Sequence, residues 1–300
     1  MTMDAITPGA PWGPKPKKLI TLPRFVVYSV LILCCVFFLF PLYIMVITSL
    51  KDLDAIREGN LFTPASNWTL YPWDKALFHA CTGLYCEGIT PGFINSLKIT
   101  VPSVIVSIAV ACITGYSLAN WPFKYSEVFF TILLLASFIP YVVMIYPIVI
   151  ITRWLGIFST LPAVVLVHTI FGLPLLTLLF RNYFASLPQE LFKAARVDGA
   201  GYWRILFQVF LPMSIPIMTV AVILQVTGIW NDFLFGVIYA GPTNYPMTVQ
   251  LNNIVNTGQG VKEYNVDMAA TILTGLVPLA IYFFSGKYFV RGIAAGAVKG

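Results

Sequence analysis

Six strongly apolar stretches of this chain contain no Asp, Glu, Lys or Arg, and they limit its fold more than any other feature. They run Phe25–Leu50, Ile99–Phe123, Val128–Thr152, Trp154–Phe180, Ile205–Asn231 and Met268–Gly286. Their lengths are 26, 25, 25, 27, 27 and 19 residues. A bilayer's hydrocarbon core is about 30 Å thick, so a helix needs roughly 20 residues to cross it. Backbone groups in lipid must bond internally, and none of the six stretches alternates like a barrel strand. The expectation is an all-α polytopic membrane protein with six transmembrane helices. Composition closes the soluble alternative: apolar types make up 58% of the 300 residues and charged types only 10%. Soluble domains carry about 25% charged residues, and so few charges cannot cover a core of this size.

Lys and Arg set the orientation. Twelve flank one side of the predicted spans, among them Lys15, Lys17, Lys18, Arg24, Arg181, Lys193, Arg196 and Arg204. The other side has six: Lys51, Arg57, Lys75, Lys98, Arg153 and Lys262. Both termini are therefore expected in the cytoplasm, with residues 1–24 and 291–300 as tails around a six-helix domain at 25–290. Outer loops fall at about 51–92 and 241–266, and a cytoplasmic loop at about 182–212. The net charge of +6 belongs to this bias and to anionic lipid, not to nucleic acid. The first apolar run is too long for a cleavable signal, and no small-residue cleavage site follows it.

Within the second span Ser103, Ser107, Ala111, Gly115 and Ala119 recur every four residues. Small residues at that spacing let another helix approach closely. Prolines 41, 140, 147, 174, 216 and 278 fall inside spans, where they loosen helices. Cys34, Cys35 and Cys112 read as small apolar packing residues. Cys81 and Cys86 lie in the long outer loop; an oxidising compartment favours a bridge and the short ring opposes it, so both outcomes stay open. His168 reads as a neutral histidine packed against a neighbouring helix. Asp232 either lines a translocation path or caps a helix break.

Catalytic patterns are missing. The chain has no Gly-x4-Gly-Lys-Ser/Thr phosphate loop, no His-Glu-x2-His, no Gly-x-Ser-x-Gly and no Cys-x2-Cys. Two histidines in all leave no multi-histidine metal site. No catalytic residue, metal ligand or cofactor is expected in this chain. A stand-alone secondary transporter or channel would need symmetry between three-helix halves and midplane ion ligands; it is the alternative to the reading below.

The connection between the fourth and fifth spans is the most informative. Ser186 with Gln189 three residues on reads as a capping box, and Pro188 suits a first helical turn. Leu187, Leu191 and Ala195 share a helical face with Phe192 beside it, and Asp198-Gly199 ends the helix. A second short helix starts near Gly201. That apolar face suggests a docking surface for another protein.

These residues carry a resemblance. Glu190-Leu-Phe-Lys-Ala-Ala-Arg-Val-Asp-Gly-Ala200, followed by Phe207, Leu211-Pro212 and Pro216, resembles the cytoplasmic signature of binding-protein-dependent ABC importer permeases. The segment from Val277-Pro278 to Gly300, Asn95-Ser96-Leu97 and Trp230-Asn231-Asp232-Phe233 are similar to carbohydrate importers of the maltose type, and general likeness points to the glucose or mannose subgroup. One departure is Lys193, where the family usually has Glu.

The resemblance implies a permease subunit forming half of a pore in a bacterial inner membrane. Its partners would be a second, different permease, ATPase subunits carrying ATP and Mg, and an external sugar-binding protein. Glu190, Ala194, Ala195, Asp198, Gly199 and Ala200 would couple to the ATPase, with Gly199 setting the helix stop. Trp230, Asn231 and Asp232 are candidates for the translocation path, because sugar sites combine aromatic faces with amides and carboxylates. Gln259 and Gly260 are candidates for contact with the binding protein.

Overall fold

A computed structural model describes residues 22–64, 67–83, 85–256 and 261–297, with side chains described to residue 285. In chain order the helices are α1 (Leu22–Ser49), α2 (Leu53–Glu58), α3 (Tyr71–Phe78), α4 (Thr90–Asn120), α5 (Ser126–Ala136), α6 (Tyr141–Trp154) and α7 (Leu161–Ser186). They continue as α8 (Gln189–Val197), α9 (Tyr202–Ile205), a π-helical turn at Leu206–Phe210, and α10 (Leu211–Met213). Then come α11 (Ile215–Trp230), α12 (Leu234–Tyr239), a 3-10 turn at Pro242–Asn244, α13 (Met247–Asn256) and α14 (Tyr264–Ala297). No strand occurs among the described residues.

Among the described residues four helices are long and apolar enough to cross a membrane: α1, α4, α7 and α14. The other two expected spans are broken. Where Val128–Thr152 reads as one span, α5 and α6 meet at 105°. Where Ile205–Asn231 reads as one span, Tyr202–Met213 and α11 meet at 78°. The causes are local. Pro140 precedes α6 and has no N–H to continue α5, and the π-helical turn with Pro212 and Pro216 interrupts the other pair. Counting each bent pair as one span gives six.

The chain divides into two compact units, Met1–Met45 and Val46–Gly300. In the first, the side chains from Leu22 to Tyr43 are exposed and almost all apolar, as on a helix whose neighbour is lipid. Cys34 and Cys35 lie on this exposed helix, so they are not the packing residues expected; Cys112 is buried as expected.

The second unit is built on α4 and α7. Ser103, Ser107, Ala111 and Gly115 are buried along one stripe of α4. A Cβ on Gly115 would meet Phe180 Cβ at 2.7 Å and the Arg181 nitrogen at 2.8 Å, so that crossing has no room for a side chain. The small residues bring the backbones together, and Tyr116, Phe180, Phe184, Ile205, Leu206 and Phe210 fill the core beside the seam.

The N-terminal end of α4 is held by polar groups. Gly92 N–H donates to Gln250 Oε1 at 2.7 Å, Asn95 Nδ2 donates to the Tyr245 carbonyl at 3.3 Å, and Met247 N–H donates to Ser96 Oγ at 2.8 Å. Across the same end, Lys75 pairs with Glu263 at 2.5 Å and Lys262 with Asp267 at 2.9 Å. The Glu263 hydrogen bond raises the Lys75 pKa above its ordinary value. Cys81 and Cys86 are joined by a disulfide, which resolves the alternatives their spacing left open. At 31 residues, α4 is about 46 Å long at 1.5 Å per residue, so its two ends lie a full bilayer apart.

Candidate functional site

At the C-terminal end of α4 sits the connection that the sequence singles out. Helix α7 runs on to Ser186, whose hydroxyl donates back to the Tyr183 carbonyl at 2.7 Å. The expected capping box is therefore absent: Ser186 closes α7 instead of opening α8. Leu187 is extended, as a residue before proline tends to be, and Pro188 stands at the N-cap with no side-chain cap bond.

Helix α8 is fastened through Phe192. Its buried ring packs edge-on against Trp121 at 5.5 Å and Phe210 at 6.3 Å. The Arg196 guanidinium lies 4.8 Å from the Trp121 ring centre. Trp121 Nε1 donates to Tyr116 Oη at 2.9 Å, and Tyr202 Oη bonds Ser117 Oγ at 2.6 Å. One aromatic cluster thus ties α8 and α9 to the C-terminal end of α4.

The helix stop is a full Schellman arrangement. Gly199 N–H donates to Arg196 O and Ala200 N–H to Ala195 O, each at 3.0 Å. Gly199 has φ +77°, and a Cβ there would meet nothing within 4 Å. The requirement is therefore conformational: only the backbone angle excludes a side chain.

The expected docking face is split by this packing. Phe192 is buried, and Leu187 and Ala195 are partly buried against the core. The outward surface includes Glu190, Leu191, Lys193, Ala194, Val197 and Asp198, with Val197 88% exposed. Leu191, Ala194 and Val197 recur every three residues and form the apolar strip that remains free. Beside it, exposed Trp203 and Phe207 stack at 6.0 Å. Sequence reasoning missed this pair; four-residue spacing on a short helix was the available signal.

The path candidates lie near the break between α11 and α12. Trp230 is 1% exposed, its Nε1 donating to Thr274 O at 3.0 Å and its ring packing edge-on against Phe93 at 5.7 Å. It is a packing residue here and offers no free ring face. Asn231 is exposed. Asp232 accepts from Phe235 N–H at 3.3 Å and Gly236 N–H at 3.0 Å, so it caps α12. Its other neighbour is His168 Nε2 at 3.6 Å. His168 is buried on α7, with its backbone carbonyl accepting from Gln225 Nε2 at 3.4 Å. That approach needs Gly172, where a Cβ would lie 2.3 Å from the same Gln225 nitrogen. Gln259 and Gly260 lie outside the described residues.

Comparison with known proteins agrees with this geometry. The pattern of the binding-protein-dependent transport system inner membrane component family matches residues 107–295. The chain is 35% identical to an osmoprotective compounds uptake permease protein of Synechocystis sp., over 72% of each. It is 34% identical to an alpha-glucoside transport system permease protein of Rhizobium meliloti, over 72% of this chain and 58% of that one. A bacterial ABC transporter involved in import of the acidic polysaccharide alginate contains a chain of the same fold, with TM-score 0.71 and 20% identity over 93% of this chain and all of that one. The family match spans well over half of the sequence and includes α8, so the chain belongs to the binding-protein-dependent transport system inner membrane components.

Proposed function

We propose that this chain is a permease subunit of an ATP-driven sugar importer in a bacterial inner membrane, and that α8 is its coupling helix. The single observation that carries this is the build of α8. It is fastened to α4 through Phe192 and closed by Gly199, and it presents Leu191, Ala194 and Val197 outward, uncovered by any described residue. An exposed apolar strip on a rigid helix is suited to a groove in another protein. In this reading the groove belongs to an ATPase subunit, which carries ATP and Mg. Glu190, Ala194 and Asp198 lie at the contact, while Ala195, Gly199 and Ala200 hold its shape. Lys193 alters the charge of that contact relative to the family pattern.

The remaining assignments follow. Both termini and α8 face the cytoplasm, as the Lys and Arg bias favours. The opposite end, with α3, α13 and the disulfide, faces the extracytoplasmic side, and a sugar-binding protein makes its contact there at Gln259 and Gly260. A second permease, different from this one, completes the pore, and Asn231 and Asp232 border the path. A sugar cargo is supported by the alpha-glucoside relative and by the motif likeness to maltose-type importers.

Mechanistically, ATP binding closes the ATPase pair and displaces α8. Because α8 is locked to α4 by the aromatic cluster, the α4–α7 pair moves with it and the path alternates between the two sides. The coupling works only if each ligand binds the two states with different affinity. Purification from the native membrane in mild detergent, followed by identification of the co-purifying chains, tests the reading. An ATPase and a second permease are expected. Recovery of this chain alone from an actively transporting membrane would support the secondary-transporter alternative instead.

A further inference from the structure

The end of the molecule opposite α8 carries a cleft of about 520 Å³ that none of the roles above uses. It lies between the Cys81–Cys86 hairpin and the segment from Pro242 to Asn253, and its walls include Tyr85, Glu87, Thr243, Tyr245, Gln250 and Asn253. Small-molecule sites range over roughly 300–1,000 Å³, so the volume suits a sugar of one or two rings.

The walls are built before any ligand arrives. The disulfide closes the hairpin, and Thr82 N–H donates to Tyr85 O at 2.8 Å. Asn253 Nδ2 donates to Thr82 O at 3.0 Å, joining the two sides of the cleft. At the hairpin's base, a Cβ on Gly88 would lie 2.1 Å from Leu77 O, so the chain is packed tightly there. Behind the other wall, Asn95 fixes the carbonyls of Thr243 and Tyr245.

The chemistry of the lining selects the ligand. Two tyrosines offer apolar ring faces with polar tips. The Gln250 Oε1 is taken by Gly92 N–H, which leaves its NH2 group to donate. Thr243 and Glu87 supply further acceptors. Glu87 makes no ion pair with a described residue. One carboxylate among neutral amides and hydroxyls is too few charged oxygens for a calcium-type cation site. Neutral donors and acceptors around aromatic faces match a molecule with apolar C–H faces and a rim of hydroxyls. We propose that this cleft, whose lining includes neither Asn231 nor Asp232, binds a neutral carbohydrate at the extracytoplasmic mouth of the permease. The identification of that carbohydrate with the cargo rests on the sugar-importer reading.

The test uses the complete importer in nanodiscs without its binding protein, read by saturation-transfer difference NMR with glucose, maltose and trehalose as probes. At least one of the three is expected to show transfer. Tyr85→Ala, which removes a ring, and Thr243→Trp, which fills the cleft, should each lower it at least fivefold. ATP hydrolysis stimulated by the binding protein should stay within twofold of the unaltered complex, showing that both variants are folded and coupled. No transfer from any probe, or transfer unchanged in both variants, overturns the proposal. Loss of stimulated hydrolysis in both variants identifies the cleft as a seat for the binding protein and overturns it as well. Uptake of the same sugars by the unaltered importer is measured in parallel. Absent uptake with intact cleft binding would count against the cargo assignment and leave the site standing.

Discussion

The two ends of α4 are held by different balances of aromatic packing and polar bonding. At the α8 end, Phe192, Trp121, Tyr116, Tyr202 and Phe210 form one aromatic cluster, with Arg196 over its edge. At the other end the contacts are directional: amide-to-carbonyl bonds from Asn95 and Asn253, the Gly92 N–H bond to Gln250 Oε1, two ion pairs and a disulfide. Apolar burial is weakly directional, so α8 and the end of α4 it packs on can shift together as one body without losing a pattern of bonds. A hydrogen-bonded lattice allows no such movement without leaving polar groups unmade. The difference is suited to a device that is driven at the α8 end and must hold a fixed shape at the other.

Removing Phe192 is the severest challenge to that contrast. Phe192→Ala empties a buried aromatic site, which costs about 3–5 kcal/mol in a packed core. The protein should still insert, but α8 should become protease-sensitive and the ATPase should no longer co-purify. Leu191→Ala on the exposed strip should weaken co-purification without new protease cleavage. Gly199→Val comes next, since a β-branched residue at φ +77° strains the stop by about 1–3 kcal/mol. Uptake in vesicles should fall at least tenfold while ATP hydrolysis continues; normal uptake would remove Gly199 from the coupling role.

At the other end the effects are smaller. Reducing Cys81–Cys86 releases a ring of only a few residues, worth about 2 kcal/mol by the chain-entropy relation. Thermal unfolding in detergent should shift down by a few degrees, with ATPase co-purification unchanged. Lys75→Met should have the least effect, since a partly exposed ion pair contributes about 0–1 kcal/mol and is screened by salt. The sign of its pH dependence is set by the raised Lys75 pKa: the contribution is complete below the ordinary lysine pKa and lost only as pH rises through the folded value. Stability measured between pH 6 and 9 should therefore be the same with and without Lys75 to within that amount; a large difference would make this end depend on charge more than its hydrogen bonds imply.

Much of this design was legible in the sequence because its cause is local. The small-residue stripe from Ser103 to Gly115 proved to be the α4–α7 seam, since a four-residue repeat marks one helical face wherever the partner lies. Gly199 ended α8 as expected, because a left-handed stop needs glycine whatever surrounds it. Asp232 capped α12, the local one of its two readings; its place beside His168 depends on where α7 packs and could not be read from the chain. Ser186 misled because a capping box and the last turn of a preceding helix use the same residue types. Only the length of α7, which packing on α4 extends, separates them.

The sequence by itself determined that the chain is a multi-span helical membrane protein and where the short helix α8 stops. Charge-free length and backbone angles are properties of the chain alone. Tertiary structure decided which face of α8 is free, that Trp230 is buried, and that the third and fifth spans are bent by 105° and 78°. It also decided that Tyr85 and Tyr245 share a cleft. Each of these depends on which distant residue occupies a given side of a helix, and a periodic pattern names the face without naming what covers it.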